Sequence, residues 1–273
     1  MFAPHLQTEL PGTIGFGPLR FPLFALFATA GLIAGLAGSQ RSAPLAGVDR
    51  NRLWDAGVFA VAAAFVISRL LLVLGHLDIF RAVPMLVLQL PSITYSGLLL
   101  TAAATLLWLR WKRVPLLRAL DAWAPCVALG CAFLSVGHFF EGTEGGMPTT
   151  LPWGIVATGD TMLGHTHPVQ LYAAAGALLL LGLLWGRLKL PRSHAGSVAA
   201  LGLLLGSTGS FLLGFFRQPA SQELTLPLDP GQFFALTGAL VGVALWFWTA
   251  RTNPSANGRL PGHQRYQEFD HAK

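Results

Sequence analysis

Charged side chains are scarce in this sequence of 273 residues, which has 18 lysines and arginines and 12 aspartates and glutamates. They make up 11% of the chain, whereas they make up about a quarter of an average soluble domain. A soluble globule of this size needs a more highly charged surface. The sequence also lacks G-X-Y repeats, heptads and low-complexity segments, which excludes collagen, coiled coils and disordered chains. The class that remains is an integral membrane protein.

Cysteine is equally rare, with two residues in the whole chain. Cys126 and Cys131 lie five residues apart in one apolar run, and this offset puts them on different faces of a helix. We therefore expect two small, buried apolar side chains rather than a disulfide or a pair of metal ligands.

Apolar residues, in contrast, make up 53% of the chain, and the mean hydropathy is +0.57. A helix needs about 20 apolar residues to cross a bilayer. The sequence predicts an all-α integral membrane protein with seven transmembrane helices. The predicted spans are Phe21–Gly38, Ala56–Leu77, Ser96–Leu109, Ala119–Phe140, Pro168–Trp185, Gly196–Phe216 and Gly231–Ala250. The third is short, and Val83–Leu90 is interpreted as a re-entrant or interfacial piece that leads into it.

The positions of the basic residues predict how these helices are oriented. Alternate connecting segments and the C-terminal tail contain 14 of the 18 lysines and arginines, in groups of three, four, three and four. Because basic residues concentrate on the cytoplasmic side, the N-terminus is predicted to be periplasmic and the C-terminus cytoplasmic. The same concentration explains the formal net charge of +6 without a nucleic-acid partner. We divide the chain into a transmembrane domain at 1–251, with a periplasmic loop at about 135–167, and a short polar cytoplasmic tail at 252–273.

The segment at 135–172 holds most of the side chains that are suited to chemistry. It contains no lysine or arginine, and its glycines and prolines indicate a non-helical loop. Such backbone beside a membrane is tolerated where protein buries it or where it borders a water-filled cavity. We therefore expect a cavity that opens to the periplasm and to lipid. The polar side chains of this segment are His138, Glu141, Glu144, Asp160, His165, His167, Gln170 and Tyr172.

Four of these residues, His138, Glu141, His165 and His167, are of types that bind zinc. A zinc site needs three or four ligands that converge on one point. Nothing in their spacing indicates such convergence, so we predict no metal site.

Four short runs form a pattern that spans nearly the whole chain. Ser135–Thr149 reads SVGHFFEGTEGGMPT and is followed by LPWG at Leu151–Gly154. His167–Tyr172 reads HPVQLY, Tyr95–Leu98 reads YSGL, and Phe215–Pro219 reads FFRQP. In order and spacing, these runs resemble the signature loop and the H-P-x-Q-L-Y-E, H-G-G-L and F-F-R-x-P motifs of prolipoprotein diacylglyceryl transferases. Seven spans with a periplasmic N-terminus are also the arrangement of that family.

The resemblance implies a multi-pass enzyme of the bacterial inner membrane that uses no cofactor. The family moves the diacylglyceryl group of phosphatidylglycerol onto the thiol of a lipobox cysteine in an exported preprotein, a step of lipoprotein biosynthesis. The implied partners are therefore phosphatidylglycerol or another phospholipid, the preprotein and the bilayer. The reaction needs a cation that holds the phosphate, a base that helps to form the thiolate and a cavity that opens sideways to lipid.

The resemblance implies most of the site residues, and Tyr95 is expected to be catalytic because it matches a family motif. His138 and Glu141 stand where the family has other residues. Their chemistry makes them alternative proton acceptors, although Glu141 would also fit a solvated loop carboxylate. Arg217 is expected to contact the lipid phosphate, although an interfacial arginine that reaches for water would have the same sequence position. Residues expected to bind substrate are Arg217, Gln170, Tyr172, His167, Gly142, Gly146, Arg69 and Arg20.

Several positions depart from the family pattern. Arginine and glutamate are expected where this chain has Ser135 and Ala173, and span six has Ser210 and Gly214 in place of an arginine and a glutamate. Gly206, Ser210 and Gly214 form a stripe of small residues on one helix face of span six, which favours close helix packing. Closer packing and a changed active site both remain open. The enzyme is the preferred hypothesis, and the alternative is a non-catalytic or re-specialised member that binds phospholipid or lipoprotein segments.

Overall fold

The computed structural model describes residues 12–16, 19–82, 95–142, 145–156, 164–190, 194–218 and 228–252. Several sequence predictions lie outside the described residues: those for Val83–Leu90, Glu144, Asp160 and the polar tail beyond residue 252.

Helices make up most of the described ranges. They are α1 (Leu23–Leu45), α2 (Arg50–Gly75), α3 (Leu77–Ala82), α4 (Tyr95–Trp111), α5 (Leu116–Glu141), α6 (Val169–Lys189), α7 (Ser197–Gly214) and α8 (Pro230–Thr252). By length and composition, α1, α2 and α5 to α8 are six helices able to cross a membrane. The membrane-spanning part of the chain is therefore all-helical, and the protein is a multi-pass membrane protein. The predicted third span coincides with α4, which has 17 residues and is shorter than these six.

Two short β-hairpins, which the sequence did not predict, flank the helices. Strand β1 (Thr13–Phe16) pairs antiparallel with β2 (Leu19–Pro22), and β3 (Ile155–Val156) pairs antiparallel with β4 (His165–Thr166). The first hairpin leads directly into α1, where the Leu23 amide donates to the carbonyl of Gly12 at 3.0 Å.

The turn between α1 and α2 explains why both helices are longer than predicted. Helix α1 continues past Gly38 to Leu45, and Gly47 then takes a positive φ of 72° that reverses the chain. Helix α2 begins at Arg50 because the Asp49 carboxylate accepts the Arg52 amide hydrogen at 2.9 Å and caps the helix.

Helix α5 is the centre of the bundle. It packs most extensively against α1 and α6 and also contacts α7, while α7 pairs with α8 and α2 pairs with α4. Polar bonds tie these helices together where α1 ends and α5 begins. The Arg118 guanidinium donates to the Ala46 carbonyl at 3.2 Å, and the Asp121 carboxylate accepts the amide hydrogens of Gly196 and Ala199 at 2.6 and 2.8 Å.

This end of the bundle is called the basic end, because ten described basic residues lie at the helix termini and turns that meet there. It also holds the main buried apolar cluster, with Leu53, Leu109, Leu184 and Val198 almost fully inaccessible. The ten basic residues are Arg41, Arg50, Arg52, Arg110, Lys112, Arg113, Arg118, Arg187, Lys189 and Arg251.

Two sequence expectations for α5 need correction. Cys126 is buried as expected, but Cys131 is exposed on the outer face of the helix. The segment predicted to be a loop from residue 135 remains helical to Glu141, and the loop starts at Gly142, whose φ of 67° ends the helix. Gly137 lies inside this helix, where Phe24 and Phe27 of α1 pack closely against it: an added Cβ would lie 3.1 and 3.2 Å from them.

The stripe of small residues on α7 does not serve a single interface. A Cβ at Gly214 would lie 2.5 Å from Cγ of Gln232 in α8, whereas one at Gly206 would lie 3.4 Å from Leu180 in α6. Ser210 is exposed. The backbone of α7 comes close to α8 at Gly242 instead, where a Cβ would lie 2.7 Å from the backbone nitrogen of Leu204.

Candidate functional site

The candidate site lies at the end of the bundle opposite the basic end, called the site end. Here the segment 145–156 meets the end of α5 at Glu141, the end of α7 at Gly214 and the start of α6 at Val169. Three runs that are distant in sequence are thereby brought together: the glycine-rich loop, the H-P-V-Q-L-Y run and the F-F-R run.

Backbone hydrogen bonds hold these three runs together. On one side of the loop, the Met147 amide donates to the Phe216 carbonyl at 2.8 Å, and the Gln218 amide donates to the Gly145 carbonyl at 3.0 Å. On the other side, the His167 amide donates to the Met147 carbonyl at 3.0 Å. The loop therefore lies between its two neighbours like the middle strand of a small sheet, with Gly146 and Arg217 forming an antiparallel bridge.

Gly146 is required by this arrangement. An added Cβ would collide with the carbonyl of His167 and lie 3.0 Å from the nitrogen of that residue. These atoms belong to the backbone and cannot rotate away, so the loop can pass this close to the start of α6 only with glycine at this position.

Aromatic side chains pack beside the same loop. The Trp153 indole nitrogen donates to the Tyr172 hydroxyl at 2.7 Å, and that hydroxyl lies 3.3 Å from Nδ1 of His167. The rings of His167 and Phe216 meet edge to face, with centroids 5.2 Å apart. Gln170 is buried in the first turn of α6. The predicted residues His167, Gln170 and Tyr172 thus share one helix start and belong to a packed, polar-edged group.

Trp153 was not predicted to be a site residue, although it lies in the LPWG run at Leu151–Gly154. The tryptophan fixes the Tyr172 hydroxyl, and the adjacent β3–β4 hairpin is closed by His165, whose Nδ1 lies 3.1 Å from the Gly154 carbonyl. The signal that pointed to Trp153 was its place in that run.

His138 and Glu141 form a second group at the end of α5. Nδ1 of His138 lies 3.4 Å from a carboxylate oxygen of Glu141, and the two side chains are 39% and 40% exposed. The His138 ring also packs against Phe24, with centroids 4.6 Å apart. Both candidate proton acceptors are therefore accessible and paired with each other.

The arginines of the predicted site lie on different elements. Arg217 is exposed just beyond α7, next to the exposed rings of Phe215 and Phe216. Arg69 is half-buried in α2, with its guanidinium carbon 5.4 Å above the ring of Phe65. The backbone of Arg20 pairs with Gly15 in the first hairpin.

Other predicted site positions are helix ends or fall partly outside the description. Tyr95 is the first residue of α4; the side chains of Tyr95 and Arg20 lie outside the described atoms. Gly142 is the left-handed residue that ends α5. Among the residues that the structure describes, no group of three or more His, Cys, Asp or Glu side chains is placed to hold a metal ion.

Comparison with known proteins identifies the family. The family model for prolipoprotein diacylglyceryl transferase matches residues 11–248. This chain belongs to that family. The membership predicted from the resemblance is thereby confirmed.

Curated members of the prolipoprotein diacylglyceryl transferase family are similar over different lengths. A protein of Cupriavidus necator is 30% identical over 271 residues, which are 94% of this chain and 98% of that protein. One from Gloeobacter violaceus is 30% identical over 256 residues, 89% and 94% of the two chains. One from Bordetella parapertussis is 33% identical over 162 residues, 58% of this chain, and the match spans 61% of its length. All three are named phosphatidylglycerol–prolipoprotein diacylglyceryl transferase.

The positions predicted to depart from the prolipoprotein diacylglyceryl transferase pattern lie in three helices. Ser135 and Ala173 are half-buried in α5 and α6, and Ser210 is exposed on α7. At Gly214 the neighbouring Gln232, which is buried, occupies the space beside the helix. Close packing therefore accounts for Gly214, whereas nothing in the structure explains Ser210.

Proposed function

We propose that this protein transfers the diacylglyceryl group of phosphatidylglycerol to a lipobox cysteine of an exported preprotein, in the inner membrane of a bacterium. The observation that carries the proposal is the meeting of the glycine-rich loop, the H-P-V-Q-L-Y run and the F-F-R run through backbone hydrogen bonds. Residues carried by three family motifs thereby contribute to one surface at one end of the bundle. Family membership supports the same reaction.

In the proposed orientation, the site end faces the periplasm. Ten described basic residues lie at the opposite end, and the positive-inside rule makes that end cytoplasmic. Helix α4 then acts as a seventh, shorter span, with the N-terminus outside and the C-terminus inside. Residues 1–251 form the membrane domain, with its periplasmic loop before α6, and 252–273 form a cytoplasmic tail.

The proposed reaction is a displacement at a carbon atom. The cysteine thiolate attacks the glyceryl carbon that bears the phosphate ester. A carbon–sulfur bond forms, the carbon–oxygen bond to phosphate breaks, and glycerol phosphate leaves with the electron pair. Arg217 is exposed beside the loop, where its guanidinium suits an anionic phosphate and stabilises the charge that develops on the leaving group.

The thiol proton goes to a base at the end of α5. Glu141 and His138 are 3.4 Å apart and both accessible. Either accepts the proton directly, or Glu141 orients the imidazole and stabilises its protonated form. Tyr95, as the first residue of α4, is the third catalytic candidate. The reaction needs no cofactor.

The remaining candidates form the walls that position the substrates. Gly142 and Gly146 shape the loop, and His167, Gln170 and Tyr172 form the start of α6 beside it. Arg69 and Arg20 are proposed to contact phospholipid from α2 and from the first hairpin.

The test is direct transfer by the purified protein. It is incubated with phosphatidylglycerol vesicles and a lipobox peptide, and mass spectrometry looks for the thioether-linked diacylglyceryl peptide. We expect product with the cysteine peptide and none with the matched serine peptide. Absence of product, alongside an active family member under the same conditions, would refute the proposal and leave the non-catalytic, lipid-binding reading.

A further inference from the structure

A groove at the basic end is not used by the proposed reaction. It has a volume of about 590 Å³ and runs between α1 and α6, with Leu129 of α5 as its floor. Its walls include Gly38 of α1 and Gly182 and Gly186 of α6. Cβ atoms added at the two α6 glycines would meet nothing within 4 Å, so the space beside them is open.

Cationic side chains from both walls line the groove where it opens at the basic end. Arg41 of α1 and Lys189 of α6 line it together with Trp185. An adjoining cleft of about 450 Å³ shares Arg41 and adds Arg50 of α2. The groove thus combines an apolar trench with a positively charged mouth.

The described structure provides these cations with no acidic partner. Among the described residues, the ion pair found is that of His138 with Glu141 at the opposite end, and Arg41, Arg50 and Lys189 form none. Arg41 and Lys189 at the groove, and Arg50 at the adjoining cleft, thus carry positive charge that no ion pair of the described residues neutralises, which favours an anionic ligand.

We propose that this groove binds an anionic phospholipid from the membrane leaflet at the basic end. The phosphate lies between Arg41 and Lys189, and one acyl chain follows the trench past Gly186 and Gly182. The site is separate from the proposed catalytic surface, because that surface lies at the other end of the bundle. The proposal therefore stands whether or not the protein transfers diacylglyceryl groups.

The chemistry of the groove matches the parts of such a lipid. Arginine holds a phosphate through two parallel hydrogen bonds, and lysine adds a point charge. From Lys189 to Gly182 the helix rises by about 10 Å, which accommodates the upper part of an acyl chain. Trp185 lies between these residues, and tryptophan prefers the depth where lipid head groups meet the hydrocarbon.

The C-terminal tail is a weaker candidate for the same groove. Beyond residue 252 it carries Arg259, Arg265 and Lys273 against Glu268 and Asp270, three positive charges and two negative, for a formal charge of +1. A segment with the same sign of charge as the groove mouth is repelled by it, whereas an anionic lipid is attracted.

Photo-crosslinking in vesicles tests this proposal at the level of the site. The full chain is reconstituted in phosphatidylcholine vesicles that contain a small share of phosphatidylglycerol with a photoreactive acyl chain, or of phosphatidylcholine with the same chain. After irradiation, peptides carrying the lipid are mapped by mass spectrometry. We expect labelling at 34–41 and 182–189 with phosphatidylglycerol, and much less with phosphatidylcholine.

Two variant pairs separate specific binding from general attraction. Arg41→Gln with Lys189→Gln should reduce labelling of these peptides by about tenfold, since each cation near a membrane favours anionic lipid. Arg110→Gln with Arg251→Gln removes the same charge at the same end, outside the groove, and should leave labelling unchanged. Gly182→Leu fills the trench and should abolish it, whereas Gly176→Leu, equally open but outside the groove, should not.

Three results would overturn the proposal. Equal labelling by the two lipids would show a groove without head-group preference. Unchanged labelling in the Arg41→Gln, Lys189→Gln variant, with a normal gel-filtration profile, would remove the phosphate contact. Labelling that appears only after deletion of residues 254–273 would show that the tail occupies the groove.

Discussion

Gly146 and Arg217, 71 positions apart in the sequence, lie opposite each other in an antiparallel backbone bridge at the site end of the bundle. This bridge holds the backbone of Arg217 beside Gly146 of the glycine-rich loop. Gly146 also lies so close to the backbone of His167, at the start of α6, that an added Cβ would collide with the carbonyl of that residue.

The first prediction concerns the space at Gly146. Gly146→Ala places a methyl group against the His167 backbone and should displace the loop, so transfer activity should fall by about 100-fold. Gly145→Ala is the matched control, because its Cβ would meet the flexible end of Gln218 at 2.7 Å. It should retain most of the activity. Equal losses in thioether formation for both variants would contradict the account.

The second prediction concerns the hydrogen bond between Trp153 and Tyr172. Trp153→Phe and Tyr172→Phe each remove it, and because they remove the same bond the effects should not add. A double-mutant cycle on thermal unfolding in detergent should give a coupling free energy of about 1 kcal/mol. Additive effects would mean that the 2.7 Å contact contributes nothing to stability.

Arg217 is predicted to act on the lipid phosphate. Arg217→Gln should lower kcat/KM for phosphatidylglycerol by about 100-fold, and Arg217→Lys should recover only part of it, since lysine lacks the bidentate fork. Arg81→Gln removes another exposed arginine, in α3 at the same end, and should have little effect. If both glutamine variants behave alike, Arg217 is a general surface charge and not a phosphate contact.

Asp121 is predicted to stabilise the fold rather than the reaction. It is 3% exposed and accepts two amide hydrogens at the start of α7. Asp121→Ala leaves one buried and one partly buried amide without this acceptor and should reduce the free energy of unfolding by about 3 kcal/mol. Asp49→Ala removes the exposed cap of α2 and should cost about 1 kcal/mol. Both are measured by denaturant titration in detergent. A smaller loss for Asp121→Ala than for Asp49→Ala would refute the role.

The interface of α7 and α8 gives a further matched pair. Gly242→Ala puts a Cβ 2.7 Å from the Leu204 nitrogen and should destabilise the protein by about 1–3 kcal/mol, because the helices must separate. Gly209→Ala meets nothing within 4 Å and should be neutral or slightly stabilising, since alanine favours helix. Unfolding in detergent compares the two, and a neutral Gly242→Ala would contradict the packing described here.

The membrane helices were largely predictable from the sequence, whereas the assembly of the site was not. A long apolar run predicts a membrane helix without any knowledge of its neighbours, so every predicted span overlaps an observed helix. Their ends depended on local chemistry that hydropathy does not register, such as the Asp49 cap and the left-handed Gly142. Whether the short α4 crosses the membrane stays a prediction.

The family motifs supplied the candidate site residues. The contacts that bring these residues together depend on tertiary packing, which the sequence pattern does not show. Strands of two residues, such as Ile155–Val156, are too short to produce an alternating pattern. The bridge of Gly146 to Arg217 depends on how α5, α6 and α7 pack. Asp121 was overlooked although a carboxylate in an apolar stretch is a signal of a buried partner. Which of the nominated residues act in the reaction remains a prediction.

Sided transfer in vesicles tests the central claim most directly. The protein is reconstituted, protease accessibility of the C-terminal tail establishes which face it occupies, and a membrane-impermeant lipobox peptide is supplied on one face at a time. The account predicts thioether product only when the peptide is on the face opposite the tail, where the glycine-rich loop meets Arg217. Product formed on the tail side, or on neither side while a known family member is active, would contradict it.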